Sequence, residues 1–287
     1  MNEMVDTGVL AVVLTFNAPD GAIACVTAIQ RQSHPAAAIL VVDNHSAAPI
    51  ERESLAQLGP VPVEILRLDA NVGPAGGFAA GLEVFLHGDH RHAWVMDDDV
   101  QPDADCLEHL LGEMRAHNDR ALVGPLEFDI STGEYWEGWG WWGPLIPRAA
   151  VEEAGLPDPQ LFWGLEDQEY LRDRLPLAGF TPVRCRAAVT RITTRPVDAD
   201  HPAWKYYYEE RNRTYRYVYD RSHLPRRVQL KSLAAWIRTD LHAIWSSDRG
   251  RPTKFAYLFR GIFDGLFHRL GKRVTPDSSD RPWTEPG

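Results

Sequence analysis

Short apolar runs alternate with helix-forming segments through the first 100 residues, and this alternation constrains the fold more than any other feature of the chain. Each run is continuous and rich in Val, Ile and Leu, which is the pattern of a strand buried on both faces of a sheet. Strands that alternate with helices form a parallel sheet through right-handed crossovers. The sequence therefore predicts an α/β fold with a Rossmann-like, mostly parallel sheet and helices on both faces. The predicted strands are Val9–Thr15, Ala38–Val42, Val63–Leu68, Ala93–Met96 and Ala121–Pro125, and the predicted helices cover residues 21–32, 50–58, 78–86, 105–116 and 166–175.

Polar residues follow three of these strands. Asp43 ends the second strand, Asn71 comes soon after the third, and Asp97–Asp99 follows the fourth. In such sheets, ligands bind outside the carboxyl ends of the strands. We therefore expect these side chains to converge on one edge of the sheet and to form a binding site there.

The run Asp97-Asp98-Asp99 predicts a metal site at this edge. Alternate side chains of an extended backbone share a face, so Asp97 and Asp99 are expected to point into one site. Adjacent carboxylates repel one another, and a hard divalent cation such as Mg²⁺ or Mn²⁺ relieves that repulsion and can bridge two phosphates. A solvated acidic loop is the alternative interpretation of the same run.

Two further segments have both a binding and a structural interpretation. Asp43 can accept a hydrogen bond from a nucleobase or a ribose hydroxyl, or it can cap the helix that follows it. The small-residue segment Asn71–Gly81 can bring backbone close to a ligand at a helix start, or it can let that helix pack tightly on a strand. Neither a GxGxxG fingerprint nor a P-loop is present, which disfavours dinucleotide-binding proteins and ATPases.

The bulk composition excludes several classes of protein. A net charge of −10 and a pI near 5.5 argue against a nucleic-acid partner. The cysteines Cys25, Cys106 and Cys185 have no zinc-binding spacing, which is typical of reduced thiols in a cytosolic protein. The apolar runs are shorter than the roughly 18 residues of a membrane span, so the sequence predicts neither a signal peptide nor a transmembrane helix.

Tryptophan and glycine alternate over residues 136–143. This alternation favours an open loop whose rings stack on a bound ligand such as a sugar, and a hydrophobic core patch is the alternative. The candidate residues for this ligand contact are Trp139, Trp141, Trp142 and, farther along the chain, Trp163.

Glu166 and Asp167 lie at the start of a predicted helix. The helix dipole stabilises a carboxylate at that position, and such a carboxylate can also act as a general base. Simple charge complementarity with the helix end is the structural alternative.

Taken together, these segments resemble the inverting glycosyltransferases of family 2, which have the GT-A fold, and most of all their galactofuranosyl- and rhamnosyltransferase-like branch. Each motif is short, and their common order between residues 9 and 215 carries the resemblance. The matching segments are Val12–Asn17, Val42–Asn44, Asn71–Gly73, Asp97–Asp99, Glu166–Asp167 and Tyr206–Asn212.

The resemblance implies a site for a nucleotide-diphosphate sugar, with UDP and dTDP as the candidate carriers. It also implies that Asp97 and Asp99 hold Mg²⁺ or Mn²⁺ on the diphosphate. The donor-binding residues that it implies are Thr15, Asn17, Asp43, Asn71, Gly76, Gly77, Asp97 and Asp98.

The resemblance further implies that Asp167 deprotonates the acceptor hydroxyl, with Glu166 as its catalytic neighbour. One departure concerns the metal. Members of the family often carry a histidine metal ligand shortly after the strand that corresponds to Ala187–Val189, and here no histidine follows until His201. We expect either that His201 completes the metal shell or that Arg191 supports the diphosphate directly.

The chain is expected to divide into a GT-A catalytic domain over residues 1–220 and an amphipathic helical extension over residues 221–287. Arg and Lys flank two aromatic stretches of the extension, Leu230–Trp245 and Phe255–Leu270. Such helices pack on the catalytic domain or form a homodimer, or they bind the membrane interface, where a lipid-linked acceptor would lie. The expected location is the cytoplasm, and the more specific hypothesis is that the helical extension contacts the inner face of the membrane.

The sequence thus predicts a metal-dependent transferase that acts on a glycan, a lipid-linked saccharide or a small natural product. A sugar-phosphate nucleotidyltransferase is one alternative, although Thr15–Pro19 lacks the glycine-rich opening with Arg and Lys that is typical of those enzymes. A non-catalytic carbohydrate-binding or scaffold protein is the other, and the presence of Asp97, Asp99 and Asp167 argues against it.

Overall fold

The computed structural model describes residues 8–192, 201–219, 226–247 and 249–276, and strands and helices alternate along most of this length. The strands are β1 (Val9–Thr15), β2 (Ala38–Asp43), β3 (Val63–Arg67), β4 (His92–Asp97), β5 (Gln101–Pro102), β6 (Ala121–Asp129), β7 (Glu134–Trp136), β8 (Trp142–Pro147) and β9 (Thr181–Ile192). The helices are α1 (Pro19–Gln30), α2 (Arg52–Ala56), α3 (Gly73–His87), α4 (Cys106–Ala116), α5 (Arg148–Ala154), α6 (Leu175–Leu177), α7 (Ala203–Tyr219), α8 (Arg226–Ser246) and α9 (Arg251–Leu266). A 3₁₀ turn covers Pro159–Leu161, and a π-helical segment, Gln168–Arg174, runs into α6.

The described strands form one mixed sheet in the order β3-β2-β1-β4-β8-β6-β9-β5, with β7 paired to β6. The strands β3, β2, β1 and β4 run parallel to one another, and Val12 of β1 lies opposite Leu40 of β2 and Val95 of β4. β8 joins the sheet antiparallel to both β4 and β6, and β6 is parallel to β9. The predicted α/β class is confirmed, with an antiparallel strand inserted beside β4.

Every residue of β1 is buried because helices cover both faces of the sheet. Val9, Ala11 and Val13 belong to a core cluster with side chains of α1 and α4. Leu10 and the other even-numbered residues of β1 belong to a second cluster, with side chains of α3 and α5. Successive side chains of a strand point to opposite faces, so a continuous apolar run fills both layers.

Glycines on α3 allow this helix to pack closely on the sheet. An added Cβ at Gly77 would lie 2.3 Å from Cδ1 of Leu14, and one at Gly81 would lie 2.6 Å from Cγ1 of Val12. The structural interpretation of the small-residue segment therefore applies to these two glycines. The close packing holds the start of α3 beside the ends of β1 and β2.

The chain divides into two compact units. The sheet unit holds residues 8–158 and 167–192, and the helical unit holds residues 159–166 together with the described residues from 201 onward. The predicted domain boundary between residues 220 and 221 lies outside the described residues and stays a prediction. α7, which that prediction assigns to the catalytic domain, belongs to the helical unit.

In the helical unit, α9 packs along α7. An added Cβ at Gly261 would lie 2.4 Å from the carbonyl oxygen of Tyr207, so the two backbones approach closely at this point. The hydroxyl of Tyr207 donates a 2.8 Å hydrogen bond to Asp264 in the buried interface between these helices. Among the described residues, no helix is both long enough and apolar enough to cross a bilayer.

Candidate active site

Polar side chains connect the ends of β1 and β2 in the sheet unit. The backbone N–H of Asn17 donates to the hydroxyl of Ser46 at 2.9 Å, and Oδ1 of Asn17 accepts from the N–H of Ala47 at 2.7 Å. Oδ1 of Asp43 accepts from the N–H of Ser46 at 2.8 Å. Asn17 has a left-handed backbone (φ 55°), which asparagine tolerates better than most residues. The loop after β1 is therefore held against the loop after β2.

A second set of hydrogen bonds connects the end of β2 to the start of α3. Nδ2 of Asn44 donates to the carbonyl oxygen of Gly73 at 3.2 Å and to Oδ1 of Asn71 at 3.3 Å. Oδ1 of Asn44 accepts from the N–H of Val72, and Oδ1 of Asn71 accepts from the N–H of Gly73, both at 2.9 Å. The structure thus brings Asp43 and Asn71 to one edge of the sheet, together with Asn44.

Asp43 is fully buried and pairs with Arg67, the last residue of β3. Arg67 also donates to the carbonyl oxygen of Ser46 at 2.8 Å, and 37% of its side chain is exposed. The next helix begins at Arg52, with Glu51 as its N-cap, so the alternative role of Asp43 as a helix cap is wrong. Instead, Asp43 fixes the turn at Ser46 and holds a guanidinium at the edge of the sheet.

Sequence reasoning did not identify Arg67 as a site residue. Its signal is the parallel register between β2 and β3, which pairs Asp43 with Arg67. A planar guanidinium that is held from behind and partly exposed can bind a phosphate or stack on a base.

The three consecutive aspartates have different environments. β4 ends at Asp97, whose N–H donates to the carbonyl oxygen of Trp141 at 2.8 Å, and Asp98 and Asp99 lie in the turn that follows. The extended backbone assumed for Asp97–Asp99 is therefore wrong beyond Asp97. Asp99 is exposed and Asp97 is partly buried.

Asp98 is held by the end of β1. Its carboxylate accepts hydrogen bonds from the hydroxyl of Thr15 and from the N–H of Phe16, while burial, with a smaller contribution from Asp99, raises the pKa of Asp98 to about 7. Thr15 is only 1% exposed, so its side chain supports Asp98 and does not line an open pocket. This contact leaves Asp97 and Asp99 as the better candidates for metal ligands.

No group of three histidine, cysteine, aspartate or glutamate side chains that could hold a metal occurs within the described part of the chain. His201, the expected third ligand, belongs to the helical unit, where its Nε2 lies 3.4 Å from Oε2 of Glu209 and its ring meets Tyr206 edge-on. Arg191, the alternative, makes two hydrogen bonds to Asp103 at 2.6 and 3.0 Å. Asp97 and Asp99 therefore stay the predicted metal ligands at this edge of the sheet, and their carboxylates are hard oxygen ligands. Such a pair suits Mg²⁺ or Mn²⁺ when diphosphate oxygens and waters complete the shell.

Asp167 is the N-cap of the π-helical segment Gln168–Arg174 in the sheet unit, close to the start of the predicted helix. Its side chain is partly buried and accepts a hydrogen bond from the N–H of Gln168 at 2.7 Å. Glu166 is only 5% exposed. Of the two neighbouring carboxylates, Asp167 is therefore the more accessible to a substrate.

The tryptophan segment is largely packed. Trp141 is 2% exposed, and its ring stacks on Phe78 of α3 with 4.2 Å between the centroids, so it is not available to stack on an acceptor. An added Cβ at Gly138 or Gly140 would approach the ring of Trp142 to 2.7 or 3.1 Å, so these glycines accommodate that ring and do not open the loop. The core alternative is therefore correct for Trp141.

Trp139 is held by a buried ion pair. The guanidinium of Arg184 lies 4.5 Å from the centre of the Trp139 ring and 2.7 Å from Glu127, which also accepts from the N–H of Gly138 at 3.1 Å. Burial raises the pKa of Glu127, and Arg184 opposes that rise. The exposed rings of this region are Tyr135 and Trp136, at 61% and 43%. Trp163 lies in the helical unit, where it is half-buried beside Trp204.

The sequence matches the model of glycosyl transferase family 2 over residues 10–169, which is more than half of the chain. This range contains the strand-end residues of the sheet edge and Asp167. No well-characterised protein matches the sequence at a significant level.

Solved structures resemble the chain at low sequence identity. Residues 1–349 of TarS from S. aureus in complex with UDP-GlcNAc match with a TM-score of 0.63 at 12% identity, over 90% of this chain and 81% of that one. The mannosyltransferase PcManGT from Pyrobaculum calidifontis in complex with GDP-Man and Mn²⁺ matches with a TM-score of 0.58 at 13% identity. This match covers 91% of this chain and 87% of PcManGT. In the match to a longer TarS structure, 90% of this chain is covered. The chain spans only about half (54%) of the length of that TarS chain. These likenesses confirm the expected GT-A fold.

Proposed function

The chain is a glycosyltransferase of family 2, and we propose that it transfers a sugar from a UDP- or dTDP-linked donor to an acceptor hydroxyl with inversion at the anomeric carbon. One observation carries the proposal. The polar groups that follow β1, β2, β3 and β4 gather at one edge of the sheet, and Asp167 belongs to the same unit. Ligands of α/β sheets bind at this kind of edge.

The donor nucleotide binds along the loops that follow β1, β2 and β3. Arg67, anchored by Asp43, offers a partly exposed guanidinium, and the exposed Asn17 is hydrogen-bonded to the same residue as Arg67, Ser46. α3 begins at Gly73 without a side-chain cap, and the N-terminus of a helix favours an anion. Arg67, Asn17 and the start of α3 are therefore the groups that would hold the nucleobase, ribose and diphosphate of the donor. Gly76 lies in the first turn of α3, whereas Gly77 already has a packing role against Leu14.

A divalent metal fits the carboxylates of Asp97 and Asp99, and a structural relative of the chain carries Mn²⁺ with its GDP-Man. When bound, such a metal neutralises the charge that develops on the leaving diphosphate. Asp98 contributes differently. It links β1 to the turn after β4 through Thr15 and Phe16, which fixes the backbone on which Asp97 and Asp99 lie.

Asp167 removes the proton from the acceptor hydroxyl in this proposal. Its partly exposed carboxylate follows directly on the buried Glu166, and the N–H of Gln168 orients it. A base on one face of the sugar and a leaving diphosphate on the other support a single displacement with inversion.

The acceptor is a glycan, a lipid-linked saccharide or a small natural product, in line with the galactofuranosyl- and rhamnosyltransferase-like branch that the motifs resemble. The exposed Trp136 and the half-buried Trp139 and Trp142 are the tryptophan rings of the sheet unit that remain for contact with the acceptor. Trp163 belongs to the helical unit, and its contact with the acceptor stays a prediction. The three cysteines are buried free thiols, which supports a reaction in the reducing cytoplasm.

A donor screen tests the proposal. We expect one nucleotide series among UDP-, dTDP- and GDP-sugars to raise the melting temperature, and to do so mainly with Mn²⁺ present. A ligand at about 100 times its Kd stabilises the folded state by about 2.7 kcal/mol, which is readily measured by thermal shift. Pyrophosphate with Mn²⁺ serves as the control, and it should stabilise the protein less than the matching donor. If no donor shifts the melting temperature and no sugar is transferred, a binding or scaffold role replaces this proposal.

A further inference from the structure

One face of α9 carries an exposed apolar stripe. Its residues recur at intervals of four, three and one, which places them on one side of the helix. They are Phe259, Phe263 and Leu266 of α9 and its C-cap residue Phe267, with exposed fractions of 56%, 46%, 43% and 60%. The opposite side of α9, which includes Gly261 and Gly265, packs on α7. The stripe is therefore not part of the core of the helical unit.

The segment around this stripe is cationic. Residues 249–276 contain seven Arg and Lys and a single carboxylate, Asp264. Asp264 is only 4% exposed and accepts a hydrogen bond from Tyr207. Arg269 lies 5.1 Å from the centre of the Phe263 ring, and the side chain of Arg260 is 53% exposed. This segment therefore exposes aromatic rings and guanidinium groups, although the whole chain has a net charge of −10.

We propose that the stripe of α9 is a membrane-docking surface whose partner is an anionic lipid bilayer. Aromatic side chains partition into the boundary between headgroups and acyl chains, and Arg and Lys beside them contact lipid phosphates. The complementarity of charge favours this partner over a second copy of the chain, because two copies that meet through this face would bring like charges together.

Vesicle co-sedimentation tests this surface. The full chain should sediment with vesicles of phosphatidylcholine and phosphatidylglycerol and should stay in solution with phosphatidylcholine alone. The Phe259→Ser/Phe263→Ser variant should lose binding by about tenfold. A matched control, Ile130→Ser/Leu177→Ser, removes side chains that are 51% and 56% exposed in the sheet unit and should bind like the wild type.

Two results would overturn the membrane proposal. Equal vesicle binding by both double variants would show that the stripe is not the docking surface. No vesicle binding by the wild type, with a dimer in light scattering that only Phe259→Ser/Phe263→Ser dissociates, would assign the stripe to a second copy. Circular dichroism melting of each variant establishes that the comparison is between folded proteins.

An independent observation concerns the loop that precedes Asp167. Side chains of α7 bind the carbonyl groups of this loop one after another. Nδ2 of Asn212 donates to the carbonyl oxygens of Leu161, Trp163 and Gly164 at 2.9, 3.0 and 2.7 Å. Nη2 of Arg211 donates to the carbonyl oxygen of Leu161 at 2.7 Å, and its Nε donates to Oδ1 of Asn212 at 2.9 Å. Both side chains are fully buried.

The same loop has an unusual backbone. Phe162, Gly164 and Leu165 all have left-handed conformations, with φ of 57°, 81° and 65°. Such conformations are costly for residues with side chains and persist where the surroundings determine them. The side chains of Arg211 and Asn212 hold the loop in these conformations, because they donate hydrogen bonds to its carbonyl oxygens.

We infer that Asn212 and Arg211 are positioning residues for the transfer reaction. They fix the loop, and the chain continues from its last residue, Glu166, directly into Asp167. This inference rests on the proposed role of Asp167 as the base. Misplacement of a reacting group by about 1 Å can cost roughly 100-fold in rate, so a loop that is fixed less firmly should lower turnover.

A double-mutant cycle tests the inference. Asn212→Leu should lower kcat by about 10- to 100-fold while the KM for the donor stays unchanged. In an Asp167→Asn background the same substitution should have little further effect, because the group that it positions is already inactive. If Asn212→Leu does not fold, the cycle is measured with Asn212→Ser, which is a smaller change. Thr214→Val is the matched control, since Thr214 is a buried residue of α7 whose hydroxyl has no hydrogen-bond partner among the described residues.

The outcomes separate this inference from the proposed function. If Asp167→Asn lowers kcat and Asn212→Leu lowers the remaining activity by the same factor as in the wild type, the role of Asn212 is structural and the inference fails. If Asp167→Asn alone keeps wild-type activity, the proposed base is wrong and the inference fails with it.

Discussion

Replacement of Asp167 by Asn is expected to lower kcat by about 10²- to 10⁴-fold, the usual contribution of a general base, while donor affinity stays close to that of the wild type. The substitution keeps the shape of the side chain, and its amide oxygen can still accept from the N–H of Gln168. It removes only the ability to take a proton. The kcat from initial rates with a labelled donor and the donor Kd from calorimetry, measured on the same preparations, separate these effects.

Two variants make the Asp167 experiment specific. Asp173→Asn changes an exposed aspartate of the same π-helical segment and should leave kcat within about twofold, since most exposed substitutions perturb a protein little. Glu166→Gln changes the buried neighbour, and a smaller loss of kcat than that of Asp167→Asn would agree with its 5% exposure. If Asp167→Asn turns over at a rate comparable to the wild type, or if Glu166→Gln causes the larger loss, the assignment of the base is wrong.

The sequence predicts the parallel half of the sheet because burial on both faces leaves a simple pattern. β1 is an uninterrupted apolar run, and its alternate residues fill two separate core clusters. The polar residues that follow such runs are then expected at one edge, because parallel strands have their carboxyl ends on the same side. Asn44 and Asn71, which come after different strands, meet there at 3.3 Å.

The other half of the sheet is harder to predict. β8 (Trp142–Pro147) contains a glycine and two prolines, which indicate a loop, yet it pairs with both β4 and β6. Trp141 precedes it, and its burial depends on the close approach of α3 to the sheet, which Gly77 and Gly81 permit. That approach is a property of the tertiary packing and not of the alternation of tryptophan and glycine.

The candidate site shows the same division between local and long-range information. The residue types at the sheet edge are visible in the sequence, but their individual roles depend on contacts between distant segments. Asp98 differs from its two neighbours because Thr15 and Phe16, at the end of another strand, bind it. Arg67 matters because the register of β3 places it beside Asp43. Neither contact leaves a pattern in the local sequence.

Replacement of Asp99 by Ala is expected to abolish the dependence of donor binding on Mn²⁺. Asp99 is exposed, so its removal should leave the melting temperature of the protein without ligand nearly unchanged. The loss of one hard ligand from a two-carboxylate site should lower donor affinity in the presence of Mn²⁺ by about tenfold or more and turnover by about 10²- to 10³-fold. Titration of the donor with and without Mn²⁺, followed by thermal shift, measures the first effect directly.

The contrast between Asp99→Ala and Asp98→Asn separates metal binding from support of the fold. Asp98→Asn should lower the melting temperature, because an NH₂ donor replaces one of the two acceptor oxygens that face the donors Thr15 and Phe16. Donor binding should nevertheless keep its dependence on Mn²⁺. Asp89→Ala, at an exposed aspartate outside this site, should change neither property. If donor binding and turnover of Asp99→Ala match those of the wild type with Mn²⁺, Asp99 is not a metal ligand. The loss of metal dependence in Asp98→Asn instead would assign the metal to the aspartate that Thr15 holds.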